Sequence, residues 1–295
     1  MERYELMELQ LPLILFTTLI AWSAGLFATQ CVCSVKNVCQ NCQLPAWICS
    51  AALLALSGLA VFTHLEHWER IFNGFGHLTS GITQELIAIV VLAVIAIAYL
   101  VFLRKGDRVP VWLAVLGAAM SLVLVAVCGH SYVMAARPAW DSIIEVLSLV
   151  GASCVLGPLT MMVLQGKFEA SDEAGETLVW RLALGGAVAN AVVAVAYIAF
   201  MAFAGSAVMG VGFYFDPINP TEGMIDLTSL SPLAAGSIPF TAVSVIGAVV
   251  AAAAAFFGKK NTLAMGTLGT VAAVVGTVCL RVLFYQMGFA GFILF

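Results

Sequence analysis

Charge is what this sequence has least of. Of its 295 residues, 12 are Lys or Arg and 16 are Asp or Glu, 9% in all, and only 4 are His. Soluble domains carry about 25% charged residues. A chain so poor in charge cannot cover a water-facing surface, which excludes a soluble enzyme and a disordered adaptor. The formal net charge of −4 provides no basic face, which excludes a nucleic-acid binder. Apolar and polar residues do not alternate along the apolar runs, which excludes a porin-type barrel. A basic N-terminal flank is missing as well. Glu2, Glu5 and Glu8 stand there against a single Arg3. The first apolar run is therefore expected to be a span and not a cleaved signal peptide.

What is present is hydrophobic, 62% of the chain. A helix needs about 20 apolar residues to cross the hydrocarbon core, and only helices can cross in solid blocks because each must satisfy its own backbone amides. Eight runs qualify, at about 9–28, 44–63, 82–103, 109–128, 143–164, 182–204, 238–257 and 263–287. The expected fold is thus all-α, a polytopic helical bundle of one membrane domain. Orientation follows from the Lys and Arg near the span ends. Lys36, Arg104, Lys105, Arg108, Lys167, Arg181, Lys259 and Lys260 fall on one side, and Arg3, Arg70, Arg137 and Arg281 on the other. The first group is expected in the cytoplasm, so both termini are expected outside. The loops at 64–81, 129–141 and 205–237 share that outer side. The last of these has no Lys or Arg but carries Phe213, Tyr214, Phe215, Pro217, Pro220 and Pro232, which suits either a docking platform or an interfacial loop. Gly185 with Ala189, and Ala272 with Gly276, are small-residue pairs suited to close helix packing.

The polar residues at membrane depth are one-sided. His64, His67, His77 and His130 all fall on the expected outer side. Glu85 lies one turn into the third span and Glu145 near the outer end of the fifth, with Asp141, Arg70 and Arg137 bordering the same layer. Ionisable residues are costly there and are functional candidates by default, the bland alternative being solvated headgroup-layer side chains. A His and a carboxylate beside an apolar pocket can take protons from a hydroxylated ring. Quinol oxidation needs such a pair, because two protons leave as two electrons depart. Paired mid-helix His ligands are absent, so no haem is expected, and the electrons need a partner subunit.

Four of the 8 Cys cluster as Cys31, Cys33, Cys39 and Cys42, read as lying in the first loop. Four thiols in so short a stretch can bind zinc or an iron–sulfur cluster. Their Cys-x-Cys spacing is less usual for zinc than two Cys-x-x-Cys pairs. An incidental cluster, a redox thiol or a lipidated thiol stays open beside the metal. The expected cytoplasmic side argues against disulfides.

The stretch His64-Leu65-Glu66-His67-Trp68-Glu69-Arg70-Ile71-Phe72-Asn73 resembles a motif of the DMSO reductase membrane-anchor subunit family. Ser80 with Thr83-Gln84-Glu85 is similar to the family's segment at the mouth of its third span. Leu11–Leu19, Ser23–Phe27, Arg137-Pro138-Ala139-Trp140 and Arg281-Val282-Leu283-Phe284-Tyr285 are similar to family segments in the same order. The likeness runs over nearly the whole chain. It implies an eight-span anchor in the cell membrane that binds menaquinol and passes its electrons to an iron–sulfur subunit. That subunit and a molybdopterin catalytic subunit would dock on the outer face, and they alone would carry iron–sulfur clusters and molybdopterin. The family's functional His maps onto His64 and its functional Glu onto Glu85, with Arg70 as a further quinol contact. No metal is implied in the anchor. Glu66 stands where the family usually has Gly, and Trp68-Glu69 replaces a Pro-containing pair, which puts the quinone type in doubt. The other readings are a polysulfide reductase-like quinone-linked anchor and, further off, a secondary transporter with Gly157-Pro158 as one broken-helix candidate.

Overall fold

The computed structural model describes residues 2–64, 76–106, 108–135, 137–208 and 231–288, without the side chains of 2–10, 64 and 205–208. Eight α-helices run through them: α1 Glu2–Val35, α2 Gln43–His64, α3 Gly81–Lys105, α4 Val111–His130, α5 Ile143–Phe168, α6 Glu173–Val208, α7 Ile238–Phe256 and α8 Thr262–Met287. A single 3₁₀ turn, Gly258–Lys260, joins the last two. There are no strands among the described residues. Each helix is long and apolar enough to cross a membrane, and the fold is that of a multi-pass membrane protein.

Two helices form the centre. The membrane windows of α5 and α1 are 72% and 61% enclosed, against 17% for α2 and 22% for α3. Glycines explain how α1, α5 and α6 come together. A Cβ on Gly157 would fall 2.2 Å from the Gly25 carbonyl oxygen, and one on Gly25 would fall 2.1 Å from the Ser153 carbonyl oxygen. On the other flank of α5, a Cβ on Gly186 would meet the Cys154 carbonyl oxygen at 1.8 Å. The expected Gly185 contact is displaced by one residue, since nothing lies within 4 Å of a Cβ there. The α8 pair is close to expectation. Gly247 of α7 packs on Gly276, and a Cβ on Gly247 would meet the Ala272 carbonyl oxygen at 2.7 Å.

Three sequence boundaries need correction. The first helix does not stop at residue 28 but continues to Val35, so Cys31 and Cys33 lie on α1 and not in a loop. Its polar residues there are bonded within the bundle. The Thr29 hydroxyl donates to the Gly25 carbonyl at 2.8 Å, and the Gln30 amide donates to the Gln43 carbonyl at 2.9 Å. The turn that follows has left-handed backbone at Asn37 (φ 56) and Cys39 (φ 54). Its amides at Cys39 and Asn41 donate to the Asp172 and Glu169 carboxylates at 2.8 and 2.9 Å. The sixth helix starts at Glu173, well before residue 182. Asp172 caps it by accepting from the Gly175 amide at 2.9 Å, and Glu173 and Glu176 suit the positive end of the helix dipole. Finally, Gly157-Pro158 is not a break. α5 passes through Pro158 unbroken, and Gly186 packs against Cys154, whose carbonyl loses its helical partner to the proline.

Candidate functional site

The helix ends where α2 finishes and α3 begins lie nearest the buried charged residues of the described chain, Glu85, Glu145 and Arg281. This end is held by small-residue contacts. A Cβ on Gly81, the first residue of α3, would meet the Ser131 Cβ at 2.7 Å. One on Gly129 of α4 would meet the Val146 Cα of α5 at 2.7 Å. These approaches bring Glu85, one turn into α3, against the turn that closes α4.

A cavity of about 420 Å³ opens there. Leu13 and Phe16 of α1, Val61 of α2, and Ile82, Leu86 and Ile89 of α3 form its apolar walls. Its polar lining comes from Glu85, Ser80, Ser131 and Tyr132. The volume suits a small ring compound. Glu85 is buried, and its carboxylate accepts from the Ser131 hydroxyl, which also lies 2.8 Å from the Cys128 carbonyl oxygen. α2 and α3 barely touch each other beside the cavity, and Ile82 in its lining is 63% exposed. Two other cavities differ in chemistry. One of about 270 Å³ between α1, α2 and α3 has Ser23 and Ser50, already bonded to each other, as its hydroxyls. Another of about 420 Å³, walled by small residues of α1, α5 and α6, has Arg181 at its edge.

Behind the Glu85 cavity lies a second polar cluster. Arg281 of α8 and Glu145 of α5 form an ion pair at 2.6 Å with both side chains 0% exposed. The Ser148 hydroxyl accepts from the second guanidinium nitrogen and reaches the Glu145 backbone carbonyl at 2.8 Å and its carboxylate at 3.2 Å. The Tyr197 phenol of α6 donates to the Ala139 backbone carbonyl at 3.4 Å. Arg281 Nε has no partner among the described residues. One helical turn further along α8, the Tyr285 phenol donates to the Tyr132 phenol oxygen at 3.0 Å. Aromatic rings enclose this link: Trp140 stacks on Phe284 at 4.4 Å, donates its indole N–H to the Phe284 carbonyl at 2.8 Å, and carries the Arg137 guanidinium 4.3 Å above its ring. Burial pushes the Tyr132 phenol well above its usual range and keeps it protonated.

The expected site residues separate into three groups. Glu85 is in the cavity wall. His64 ends α2 one turn beyond Val61, itself a wall residue, but its side chain lies outside the described residues, as do His67 and Arg70. His77, His130 and Asp141 are exposed and stand apart from the cavity. Arg281, counted from sequence among the outer anchors, is instead buried in the bundle as the partner of Glu145. An Arg and a Glu at matching depth in two different spans were the available signal for that pairing.

The cysteine cluster sits at the opposite end. Cys31, Cys33, Cys39 and Cys42 are all 0% exposed and unpaired by disulfides. Thiol contact with Cys33 and burial push Cys39 up, and contact with Cys39 and burial push Cys42 up, so both stay protonated. Among the described residues no group of three or more His, Cys, Asp or Glu is arranged to hold a metal ion. No family model matches the chain, and no curated protein matches it.

Proposed function

We propose that this protein is the membrane anchor of a respiratory molybdoenzyme complex in the cell membrane, with both termini outside, and that it oxidises menaquinol in the Glu85 cavity. The observation that carries the reading is the cavity itself: a buried carboxylate and hydroxyls set in otherwise apolar walls, on a flank where α2 and α3 make little contact. A lipid-soluble diol enters such a site laterally. The apolar walls hold its ring, and one hydroxyl donates to Glu85.

Oxidation removes two electrons and two protons from the diol and leaves a dione. Glu85 takes one proton. His64, at the end of α2 a turn from Val61, takes the other, and Arg70 contributes a further contact to the ring oxygens. The electrons go to an iron–sulfur partner subunit docked on the same side, and from it to a molybdopterin catalytic subunit. With protons and electrons leaving on one side, the step moves no net charge across the membrane.

The test is a fluorescence titration of membranes with a quinol-site inhibitor, alongside quinol-dependent turnover, for the wild type, His64→Ala and Glu85→Gln. The expected result is saturable binding in the wild type, weakened in both variants, with turnover abolished in His64→Ala and assembly intact. Unchanged turnover in both variants removes the site assignment. No binding by a folded, assembled wild type retires the redox reading in favour of a structural or transport role.

A further inference from the structure

Tyr132 belongs to both polar clusters. Its residue lines the Glu85 cavity, and its phenol oxygen accepts from Tyr285 on the far side of that wall. Its ring is fixed edge-on by three neighbours, Trp140 at 5.7 Å, Phe284 at 5.5 Å and Tyr285 at 5.9 Å. A phenol has one hydrogen to give. With its oxygen already accepting, and with no acceptor for its own O–H among the described residues, Tyr132 has that hydrogen left over for the cavity.

Tyr285 lies one turn from Arg281 on α8, so the network behind it holds its helix face. Arg281 in turn is locked by Glu145 and Ser148, and Glu145 accepts from Ser148 as well. Such a network in a low-dielectric interior keeps its members in one arrangement.

We infer that Tyr132 is a ligand-binding residue that donates to the second oxygen of the ring held by Glu85, and that Tyr285, Arg281 and Glu145 are positioning residues acting through it. This rests on the quinol reading above and adds a recognition rule to it. The cavity offers an acceptor at Glu85 and a donor at Tyr132, so it selects rings with two oxygens on opposite edges over rings with one. A diol donates to Glu85 and accepts from Tyr132. After oxidation the dione accepts from Tyr132 and from the now protonated Glu85, so both redox forms keep two hydrogen bonds.

The experiment uses the purified full chain in detergent and two probes, a naphthalene diol with its hydroxyls on opposite ring carbons and the matching mono-naphthol, titrated by fluorescence. The naphthol keeps the Glu85 contact and lacks the second oxygen. Tyr132→Phe is expected to weaken diol binding about tenfold, the value of one hydrogen bond, and to leave naphthol binding within about twofold. Tyr285→Phe, which leaves the packing in place, is expected to weaken the diol a few-fold with the same selectivity. An equal loss for both probes in Tyr132→Phe means a structural role and overturns the inference, as does unchanged diol affinity. If the wild type binds neither probe, the quinol reading falls and this inference falls with it. If the wild type binds both and Tyr132→Phe binds both equally well, only this inference is lost.

Discussion

The Arg281–Glu145 pair can be taken apart one partner at a time, and the two single variants should not be equivalent. Both side chains are 0% exposed, so whichever remains is stranded at membrane depth. Breaking a buried pair from one side costs about 3–5 kcal/mol, whereas replacing both members by apolar residues of similar volume is often close to neutral. The asymmetry comes from protonation chemistry. In Arg281→Met the remaining carboxyl can take up a proton and keep its bond to Ser148. In Glu145→Met the guanidinium cannot shed its charge, and its Nε is already without a partner. Glu145→Met should therefore cost about 5 kcal/mol, Arg281→Met about 3 kcal/mol, and the double Met variant under about 2 kcal/mol, a coupling of several kcal/mol. At roughly 2 °C per kcal/mol for a chain of this size, the single variants should lose about 10 °C and 6 °C of melting temperature and the double under about 4 °C. The assay is the fraction of purified full chain that stays monodisperse in detergent after a heat step. A double variant that loses the sum of the two singles would refute the argument, because it would show that the charges do not depend on one another.

Two further predictions follow from packing and from the thiols. Gly186→Ala should lose at least about 2 kcal/mol, because its Cβ would meet a backbone oxygen at 1.8 Å, while the adjacent Gly185→Ala meets nothing within 4 Å and should behave as wild type. Monodisperse yield in detergent compares them, and equal behaviour would mean that α5 and α6 are further apart than described. The four clustered thiols should resist maleimide in the folded chain and react after denaturation. The reactivity of Cys39 and Cys42 should also stay flat as pH rises from about 7 to about 9, since both thiols are pushed up and leave almost no thiolate across that window. Mass spectrometry of the adducts reads the result, and rapid labelling that steepens with pH would contradict the burial.

The count of helices and the depth of Glu85 were legible in the sequence because solid apolar blocks have one structural solution in lipid. Boundaries were less so. The polar residues Thr29, Gln30 and Ser34 read as a loop, yet two of them are bonded within the bundle, Thr29 to its own helix and Gln30 through its amide N–H to α2. Proline suggested a break at Gly157, but one proline in a helix clasped by its neighbours leaves it continuous. The partner of Glu145 was missed because it lies 136 residues away, and Arg281 had been assigned to the membrane edge. Tyr132 carried no signal at all: a tyrosine after a span reads as an interfacial anchor until the residue behind it is known.

The glycine crossing of α1, α5 and α6 has an electrical side. At the Gly25–Ser153, Gly157–Gly25 and Gly186–Cys154 contacts the backbones meet with no side chain between them, so a file of hydroxyls cannot pass those crossing points, and the cavity of about 420 Å³ walled by α1, α5 and α6 lies beside them. If Glu85 accepts protons as proposed, they meet these closed crossings on one side and the outside medium on the other. On the proposed reading, the complex dissipates the reducing power of its quinol without charging the membrane, and any voltage the cell gains from that quinol must come from the enzyme that reduced it.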